Sequence, residues 1–355
     1  MIKEIKIEKK ELDFREPFEI AYERVEQASV LLLSLEDEKG SIGLGSAAPD
    51  KTVTGETVDD LINLLNRRLR PAFFSHPIND RSWYEKKIRQ SFVGYPSAQA
   101  ALETALIHLA ALSDNRNPQD YFGTCRAECA LVVTVGIMDL PKTLRKVKVH
   151  LANGCQTIKL KVGLTPELDI EKILAVRSLM PKNTQLVLDA NQGYSYQQTK
   201  RVLKAIRHVD ILAVEQPVSA NQKEEFRKLR AMEIVPLIAD EMANTREEAR
   251  QLLKQGAIDG INVKMMKYGG PSSCREIIEY ALEKSRLVML GCMYESNVSI
   301  TAAAYLALAY PVQLVDLDSG HFDFDNDPTT AGAWVENGVL RVRGVPELKE
   351  RNTPQ

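Results

Sequence analysis

Several features that mark membrane, nucleic-acid-binding or disulfide-rich proteins are missing from this 355-residue sequence. Acidic and basic residues nearly cancel, with a formal net charge of −2, so we expect neither nucleic acid nor a membrane surface as a partner. The first 14 residues alternate charged and apolar side chains, which predicts neither a signal peptide nor a membrane span. Five cysteines, an odd number without a C-x-x-C pair, argue against a disulfide framework and favour reduced thiols in the cytoplasm.

A repeated strand–helix unit fills the sequence from residue 130 onward. Apolar, strand-like runs begin 24 to 28 residues apart, at Ala130, Thr157, Gln185, Ile211, Pro236, Gly260, Leu287 and Val312. Helix-like stretches such as PELDIEKILAVRSLM lie between them, with apolar residues three and four positions apart. Eight such units are what a closed (β/α)₈ barrel needs, and a doubly wound open sheet is the alternative.

The residues on either side of this repeat have a different pattern. Residues 1–125 indicate an antiparallel meander followed by amphipathic helices, which together form an α+β capping domain. We predict that the barrel occupies residues 126–318 and that residues 319–355 return to the capping domain. The predicted fold class is therefore α/β, a TIM-type (β/α)₈ barrel with an N-terminal α+β capping domain completed by the C-terminal tail.

Three carboxylates recur at the ends of consecutive strand-like runs. Asp189 in QLVLDANQ, Glu215 in ILAVEQPV and Asp240 in PLIADE are separated by 26 and 25 residues, about one strand–helix unit. At the C-terminal ends of neighbouring parallel strands, these side chains would converge on one point. Because carboxylates are the hard oxygen ligands that Mg²⁺ prefers, the spacing predicts a magnesium site.

Three lysines occur in the same half of the chain. Lys159 and Lys161 in TIKLKVG face the same side of their strand by alternation, and Lys264 in GINVKMM ends the sixth strand. Lys161 and Lys264 would then face each other across the barrel mouth. Salt bridges to the carboxylates without a metal are one explanation for buried lysines.

Acid–base chemistry at carbon is the other explanation for the buried lysines. A substrate carboxylate bound to Mg²⁺ would let its α-proton be removed to give an enediolate. Burial and a nearby cation would lower the pKa of the catalytic lysine toward roughly 7–8. Lys159 is placed to lower that pKa and to stabilise the enediolate. Lysines on opposite faces of the substrate would invert a stereocentre.

As a set, the motifs K-x-K, D-A-N, E-Q-P, A-D-E, V-K and G-C-M-x-E-S resemble those of the enolase superfamily, in its muconate-lactonizing subgroup. The resemblance extends over nearly the whole chain. It implies that the metal ligands are Asp189, Glu215 and Asp240 and that the acid–base pair is Lys161 and Lys264. It further implies that Asn191 and Glu241 orient the ligands and a lysine. It also implies a homo-oligomer.

A D-x-D pattern on the last strand, Asp316 and Asp318 in VDLDSG, is similar to that of dipeptide epimerases, where it is held to bind the substrate's amino terminus. The resemblance implies a Mg²⁺-dependent epimerase that inverts the α-carbon of the C-terminal residue of an L-Ala-Xaa dipeptide. The alternatives on the same site are an N-succinyl amino acid racemase, an o-succinylbenzoate synthase and a muconate-type cycloisomerase. A catalytically silent barrel that only binds a ligand is the alternative of another class.

Substrate specificity is expected in two capping-domain segments, residues 21–28 and 47–55. Arg24 would bind an acidic substrate side chain, such as that of L-Ala-Glu, if it faces the site. If the neighbouring Glu23 faces the site instead, a basic or neutral side chain would be preferred. The sequence leaves this choice open, together with the possibility that both are surface charges.

Overall fold

The computed structural model describes residues 2–20, 23–69 and 71–349. The N-terminal part contains an antiparallel sheet in the order β1-β2-β3, followed by helices. These elements are β1 (Ile2–Ile20), β2 (Glu23–Asp37), β3 (Ile42–Ala47), α1 (Val58–Arg68), α2 (Arg81–Ser91) and α3 (Pro96–Ser113). The predicted antiparallel meander and the predicted helices after it are confirmed.

A parallel eight-stranded sheet follows, with its strands in the order β12-β11-β10-β9-β8-β7-β6-β5. The short strand β4 (Cys129–Ala130) precedes this sheet in the chain and is not part of it. The eight strands of the sheet are β5 (Val132–Val135), β6 (Thr157–Lys161), β7 (Gln185–Asp189), β8 (Ala213–Glu215), β9 (Leu237–Ala239), β10 (Gly260–Lys264), β11 (Leu287–Gly291) and β12 (Leu314–Asp316). The helices between and after them are α4 (Leu140–Ala152), α5 (Pro166–Leu179), α6 (Tyr196–Ala205), α7 (Lys223–Arg230), α8 (Arg246–Lys254), α9 (Met265–Tyr268), α10 (Pro271–Glu283) and α11 (Asn297–Ala309). Because β12 also contacts β5, the sheet curls into the predicted barrel, and the open-sheet alternative is wrong.

Strand alternation sorts the side chains of the barrel into an inner and an outer set. Six apolar side chains form a separate buried cluster inside it: Val132, Val187, Ala213, Ile238, Met289 and Leu314. Two residues further along five of these strands, alternation brings a polar or charged side chain to the same inner face. The apolar cluster therefore forms a floor, and polar residues lie above it at the C-terminal ends of the strands.

Aromatic packing fixes the N-terminal lobe over that end of the barrel. Phe14 on β1 packs against Tyr294, which follows β11, with ring centroids 5.1 Å apart and an edge-on geometry. Phe18 contacts the same tyrosine at 6.0 Å, and Phe14 contacts Phe324 at 4.6 Å. Since such pairs add about 0.5–1.5 kcal/mol each beyond their buried area, they hold β1 firmly against the rim.

The C-terminal tail connects both parts of the molecule. Its hairpin, β13 (Thr329–Glu336) and β14 (Val339–Leu348), pairs with β4 rather than with the sheet of the lobe. The loop before the hairpin contacts the lobe, since Phe324 forms a bridge with Phe14 of β1. The domain boundaries at residues 125 and 318 stay a prediction.

None of the helices in the described ranges combines the length and the apolar character that crossing a bilayer requires. The cytoplasmic location and the homo-oligomer stay predictions.

Candidate active site

The ends of the barrel strands bring the predicted residues together in two groups on opposite walls. In the register of the sheet, Lys161 on β6 pairs with Asp189 on β7, and Asp189 pairs with Glu215 on β8. On the other wall, Lys264 on β10 and Asp316 on β12 both pair with the last residue of β11. Lys161 and Lys264 are therefore four strands apart in an eight-stranded barrel, as the sequence predicted.

Each of the three predicted metal ligands is buried, and one of its two oxygens is held by a fixed donor. The exposed fraction is 1% for Asp189, 0% for Glu215 and 2% for Asp240. The donors are the Asn191 backbone N–H to Asp189 Oδ1 (2.9 Å), the Asn262 amide to Glu215 Oε1 (2.6 Å) and the Lys267 ammonium to Asp240 Oδ1 (2.6 Å). One oxygen of each carboxylate is thus left for other partners.

The remaining oxygens face the lysines that the sequence singled out. Lys161 donates a hydrogen bond to Asp189 Oδ2 at 2.7 Å, and Lys264 donates one to Asp240 Oδ2 at 2.8 Å. Among the described residues, no donor forms a hydrogen bond to the buried Glu215 Oε2. Of the six oxygens of Asp189, Glu215 and Asp240, it is the one without a hydrogen-bond donor among the described residues.

Lys159 lies deepest of the three lysines and joins the two walls. Its ammonium group bonds to Asp316 Oδ2, and it lies 3.4 Å from Asp189 Oδ2 and 3.5 Å from Glu215 Oε2. Burial alone would lower the pKa of Lys159, but these carboxylates outweigh burial and hold it well above its ordinary value. Lys159 therefore stays charged and compensates the carboxylates around it.

The carboxylates around Lys264 shift its pKa upward, before any contribution from a metal ion. Burial would lower its pKa, but Asp240 and Glu215 outweigh that effect and hold the pKa well above the ordinary value. The sequence analysis considered burial and a nearby cation, whereas the charges of the carboxylates, first among them Asp240 in direct contact, outweigh burial. Lys264 is accordingly held in its protonated form, which is the form that donates a proton.

Buried negative charge exceeds what the lysines compensate locally. Burial raises the pKa of Glu215 to about 8, with a further contribution from the charge of Asp189. Burial also raises the pKa of Glu241 to about 7. Burial acts in the same direction on Asp189, but Lys161 and Lys159 outweigh it and lower the pKa of this carboxyl to about 2.

Asn191 and Glu241 were predicted to orient the metal ligands and a lysine. In the structure, the Asn191 side chain lies between Lys161 and Glu241. The Asn191 side chain accepts a hydrogen bond from Lys161 at 2.7 Å and donates one to Glu241 Oε1 at 3.3 Å. Asn191 has a left-handed backbone with φ of 40°, which turns the chain sharply after the strand. This turn lets the backbone N–H of Asn191 reach back to Asp189.

The D-x-D pair lies at the mouth of the barrel, the position expected from alternation along the last strand. Asp316 is 3% exposed, and its Oδ1 is buried without a hydrogen-bond donor in the described part of the chain. Asp318 Oδ2 accepts the backbone N–H of Thr134 at 2.6 Å. Burial, and then the charge of Asp316, raises the pKa of Asp318 above its ordinary value.

A cavity of about 90 Å³ lies between the two walls, and a larger groove of about 900 Å³ adjoins it. Lysines 159, 161 and 264 and both D-x-D aspartates line the cavity. Phe18, Thr134, Asp318 and Asp323 line both spaces and mark their junction. Asp323 lies in the loop between β12 and β13.

The capping-domain segments have different relations to the cavity. Asp50 and Val53, from the predicted segment 47–55, line it directly. Arg24 lines only the outer groove, where it lies 3.3 Å from Glu26 and its side chain is 60% exposed. The side chain of Glu23 and residues 21–22 lie outside the described part of the structure.

Both lobes of the chain match known family models. Residues 142–347 match the model described as enolase C-terminal domain-like, and residues 2–120 match the N-terminal domain of mandelate racemase and muconate lactonizing enzyme. The chain belongs to this enolase superfamily. The resemblance drawn from the motifs is thereby confirmed.

Similar members of the superfamily span nearly the full length of the chain. The L-Lys-D/L-Arg epimerase of Desulforapulum autotrophicum is 31% identical over 350 residues, 98% of each chain. The substrate-liganded L-Ala-D/L-Glu epimerase of Bacillus subtilis has a TM-score of 0.92 at 26% identity, covering 97% of both chains. The dipeptide epimerase of Enterococcus faecalis, complexed with Mg and L-Leu-L-Tyr, has a TM-score of 0.89 at 26% identity, covering 97% of this chain and 98% of that one.

The enolase superfamily implies a divalent metal ion, and the donor set of this chain fits one. Three carboxylates on successive strands supply hard oxygen ligands, and Glu215 Oε2 is a buried oxygen without a hydrogen-bond donor in the described residues. Among the described residues, no group of three His, Cys, Asp or Glu side chains is arranged to hold a metal ion. Lysine ammonium groups contact Asp189 Oδ2 and Asp240 Oδ2 instead. A cation at these oxygens would replace the ammonium groups as the counter-charge.

Proposed function

We propose that this chain is a Mg²⁺-dependent dipeptide epimerase that inverts the α-carbon of the C-terminal residue. The observation that carries the proposal is the position of Lys161 and Lys264 on opposite walls of one cavity, with Asp316 and Asp318 beside them. A racemising site needs a proton acceptor on one face of the substrate carbon and a proton donor on the other. The named activities of the similar epimerases support the same reaction class.

We assign the metal to Asp189, Glu215 and Asp240. Each carboxylate has one oxygen held by a donor of the protein and would bind the metal through its second oxygen. When bound, Mg²⁺ would draw electrons from the substrate carboxylate and acidify the α C–H bond, and its charge would offset the carboxylates that raise the pKa of Lys264. Mg in the complex of the E. faecalis relative supports this assignment.

The two lysines would then exchange roles according to which epimer is bound. One neutral amine removes the α-proton from its face, and the ammonium group on the opposite wall delivers a proton to the other face. Asn191 orients Lys161 through the hydrogen bond between its side chain and the ammonium group. Lys159, which stays charged, stabilises negative charge that develops on the substrate.

The D-x-D pair would bind the free α-ammonium of the dipeptide. Asp316 Oδ1 has no donor among the described residues, and one Asp318 oxygen is fixed by the Thr134 backbone, so both can accept hydrogen bonds from a cation. An N-succinyl substrate would bring an anion to the same place and be repelled. This charge argument favours dipeptides over the N-succinyl alternatives.

The decisive experiment is a screen of L-Ala-L-Xaa dipeptides with enzyme and Mg²⁺ in D₂O, read by mass spectrometry. We expect one deuteron to be incorporated at the C-terminal residue, with both epimers present at equilibrium. The preferred Xaa would define the substrate side chain. Exchange in N-succinyl amino acids but in no dipeptide would refute the assignment of Asp316 and Asp318.

A further inference from the structure

Two buried side chains that the sequence analysis did not single out hold the carboxylates of the predicted metal site. Asn262 on β10 donates its amide to Glu215 Oε1 at 2.6 Å. Lys267 on α9 donates its ammonium group to Asp240 Oδ1 at 2.6 Å. Both residues come from one short stretch of sequence, although their targets lie on β8 and beyond β9.

Asn262 reaches Glu215 past the intervening strand β9, and the barrel leaves room for it. The side chain is fully buried, and it lies on the same face of β10 as Lys264 by alternation. At Gly291 a Cβ atom would lie 2.4 Å from Asn262 Oδ1, so only glycine lets the amide occupy this place. Since an amide carries no net charge, its contact with Glu215 does not compensate charge but fixes the direction of the carboxylate.

Lys267 is bound more rigidly than charge compensation requires. Its side chain is 0% exposed, and its three hydrogen bonds go to Asp240 Oδ1, the Asp240 carbonyl at 3.0 Å and the Asn262 carbonyl at 3.0 Å. All three donors of the ammonium group are therefore used. The two carbonyl contacts fix the ammonium position, and that position in turn fixes the plane of the Asp240 carboxylate.

We propose that Asn262 and Lys267 are positioning residues of the metal site, which hold one oxygen each of Glu215 and Asp240 so that the other faces the metal. The inference rests on the metal-ligand assignment in the proposed function. It concerns metal affinity in the absence of substrate, and it is independent of which substrate is epimerised. Loss of such outer partners typically costs 10- to 100-fold in metal affinity.

The test measures Mn²⁺ binding to the substrate-free protein through the EPR signal of the Mn²⁺ that stays free in solution. Mn²⁺ is the probe because it prefers the same oxygen ligands as Mg²⁺. The variants are Asn262→Ala and Lys267→Met. Matched controls are Asn297→Ala, which also removes a buried amide with one side-chain hydrogen bond, and Lys172→Met, which also removes a buried lysine. Circular dichroism establishes that each variant is folded.

We expect the Mn²⁺ dissociation constant to rise about 10- to 100-fold in both test variants and to stay within about threefold in both controls. The sign is informative for Lys267→Met, because removing a positive charge near the metal would by itself strengthen binding. Wild-type affinity in folded Asn262→Ala, or stronger binding in Lys267→Met, would overturn the inference. A wild-type chain that binds no Mn²⁺ would overturn it too, whereas normal Mn²⁺ binding without epimerase activity would overturn only the proposed function.

Discussion

The mouth of the barrel and the outer edge of the N-terminal lobe border two adjoining spaces but are built differently. In the barrel, Lys161 is 8% exposed and is held by Asp189 and Asn191 at 2.7 Å each. At the edge of the lobe, Arg24 and Glu26 form a single contact of 3.3 Å with side chains 60% and 70% exposed. The barrel holds Lys161 from several sides, whereas the edge of the lobe leaves these two charges to solvent.

The difference indicates a division of labour between reaction and specificity. Buried side chains whose hydrogen bonds are already formed lose little further conformational entropy when substrate binds. They can therefore hold the geometry that proton transfer needs. Exposed side chains of the lobe can be exchanged without disturbing that geometry.

The strongest test of the barrel half of this comparison is the removal of each lysine. Lys161→Met and Lys264→Met should each lower the epimerisation rate by at least about 10³-fold, since acid–base groups of this kind contribute 10²- to 10⁴-fold and the two act in sequence. In D₂O, each variant should still exchange the α-proton of the one epimer that faces its remaining lysine. Proton NMR of separate L,L and L,D dipeptides measures both quantities.

The exposed Lys204→Met is the matched control and should epimerise at the wild-type rate. Retention of α-proton exchange with both epimers in both lysine variants would remove the two-base mechanism. Loss of exchange with both epimers in only one variant would indicate a one-base reaction instead.

A second test asks whether the lobe is loose throughout or only at its edge. His108 on α3 is 6% exposed, its Nδ1 accepts the Leu44 backbone N–H at 3.0 Å, and burial lowers its pKa to about 4. With an unfolded value near 6.5, its stabilising effect is complete above pH 6.5 and is lost as the pH falls toward 4. We expect the free energy of unfolding to fall by up to about 3 kcal/mol over this range because of His108 alone.

The measurement is urea unfolding between pH 7 and pH 4 of the wild type and of His108→Asn, whose amide oxygen replaces the accepting nitrogen but does not titrate. The difference between the two proteins should shrink as the pH falls. An identical pH dependence in both would mean that the interior of the lobe admits a charged histidine, and that the lobe is not rigid behind its edge.

Periodicity in the sequence predicted the parts of the site that depend on strands. Eight apolar runs and their spacing gave the barrel, and alternation placed Lys159, Lys161 and the D-x-D pair on its inner face. Asn262 could have been found in the same way, since it lies two residues before Lys264 on one strand face. It was missed because an uncharged amide suggests no chemistry by itself.

Other parts of the site depend on contacts that no local pattern encodes. Lys267 lies on a helix of four residues, too short for a periodic signal, and only its complete burial marks it. The raised pKa of Lys264 follows from its contact with Asp240, 24 residues earlier in the chain. Distances between elements decide such effects, and the sequence gives only the order of the elements.

The smallest expected effect concerns Arg24, which the sequence analysis considered as a partner for an acidic substrate side chain. Because this guanidinium is exposed and contacts Glu26, we expect Arg24→Ala to change the kcat/KM ratio between acidic and neutral dipeptides by less than about threefold. Glu26→Ala is the informative companion, since it frees the guanidinium without removing it. A tenfold loss for acidic dipeptides in Arg24→Ala, with a gain in Glu26→Ala, would show that Arg24 turns inward over bound substrate. The edge of the lobe would then be organised by the substrate, whereas Lys161 and its partners in the barrel are organised before binding.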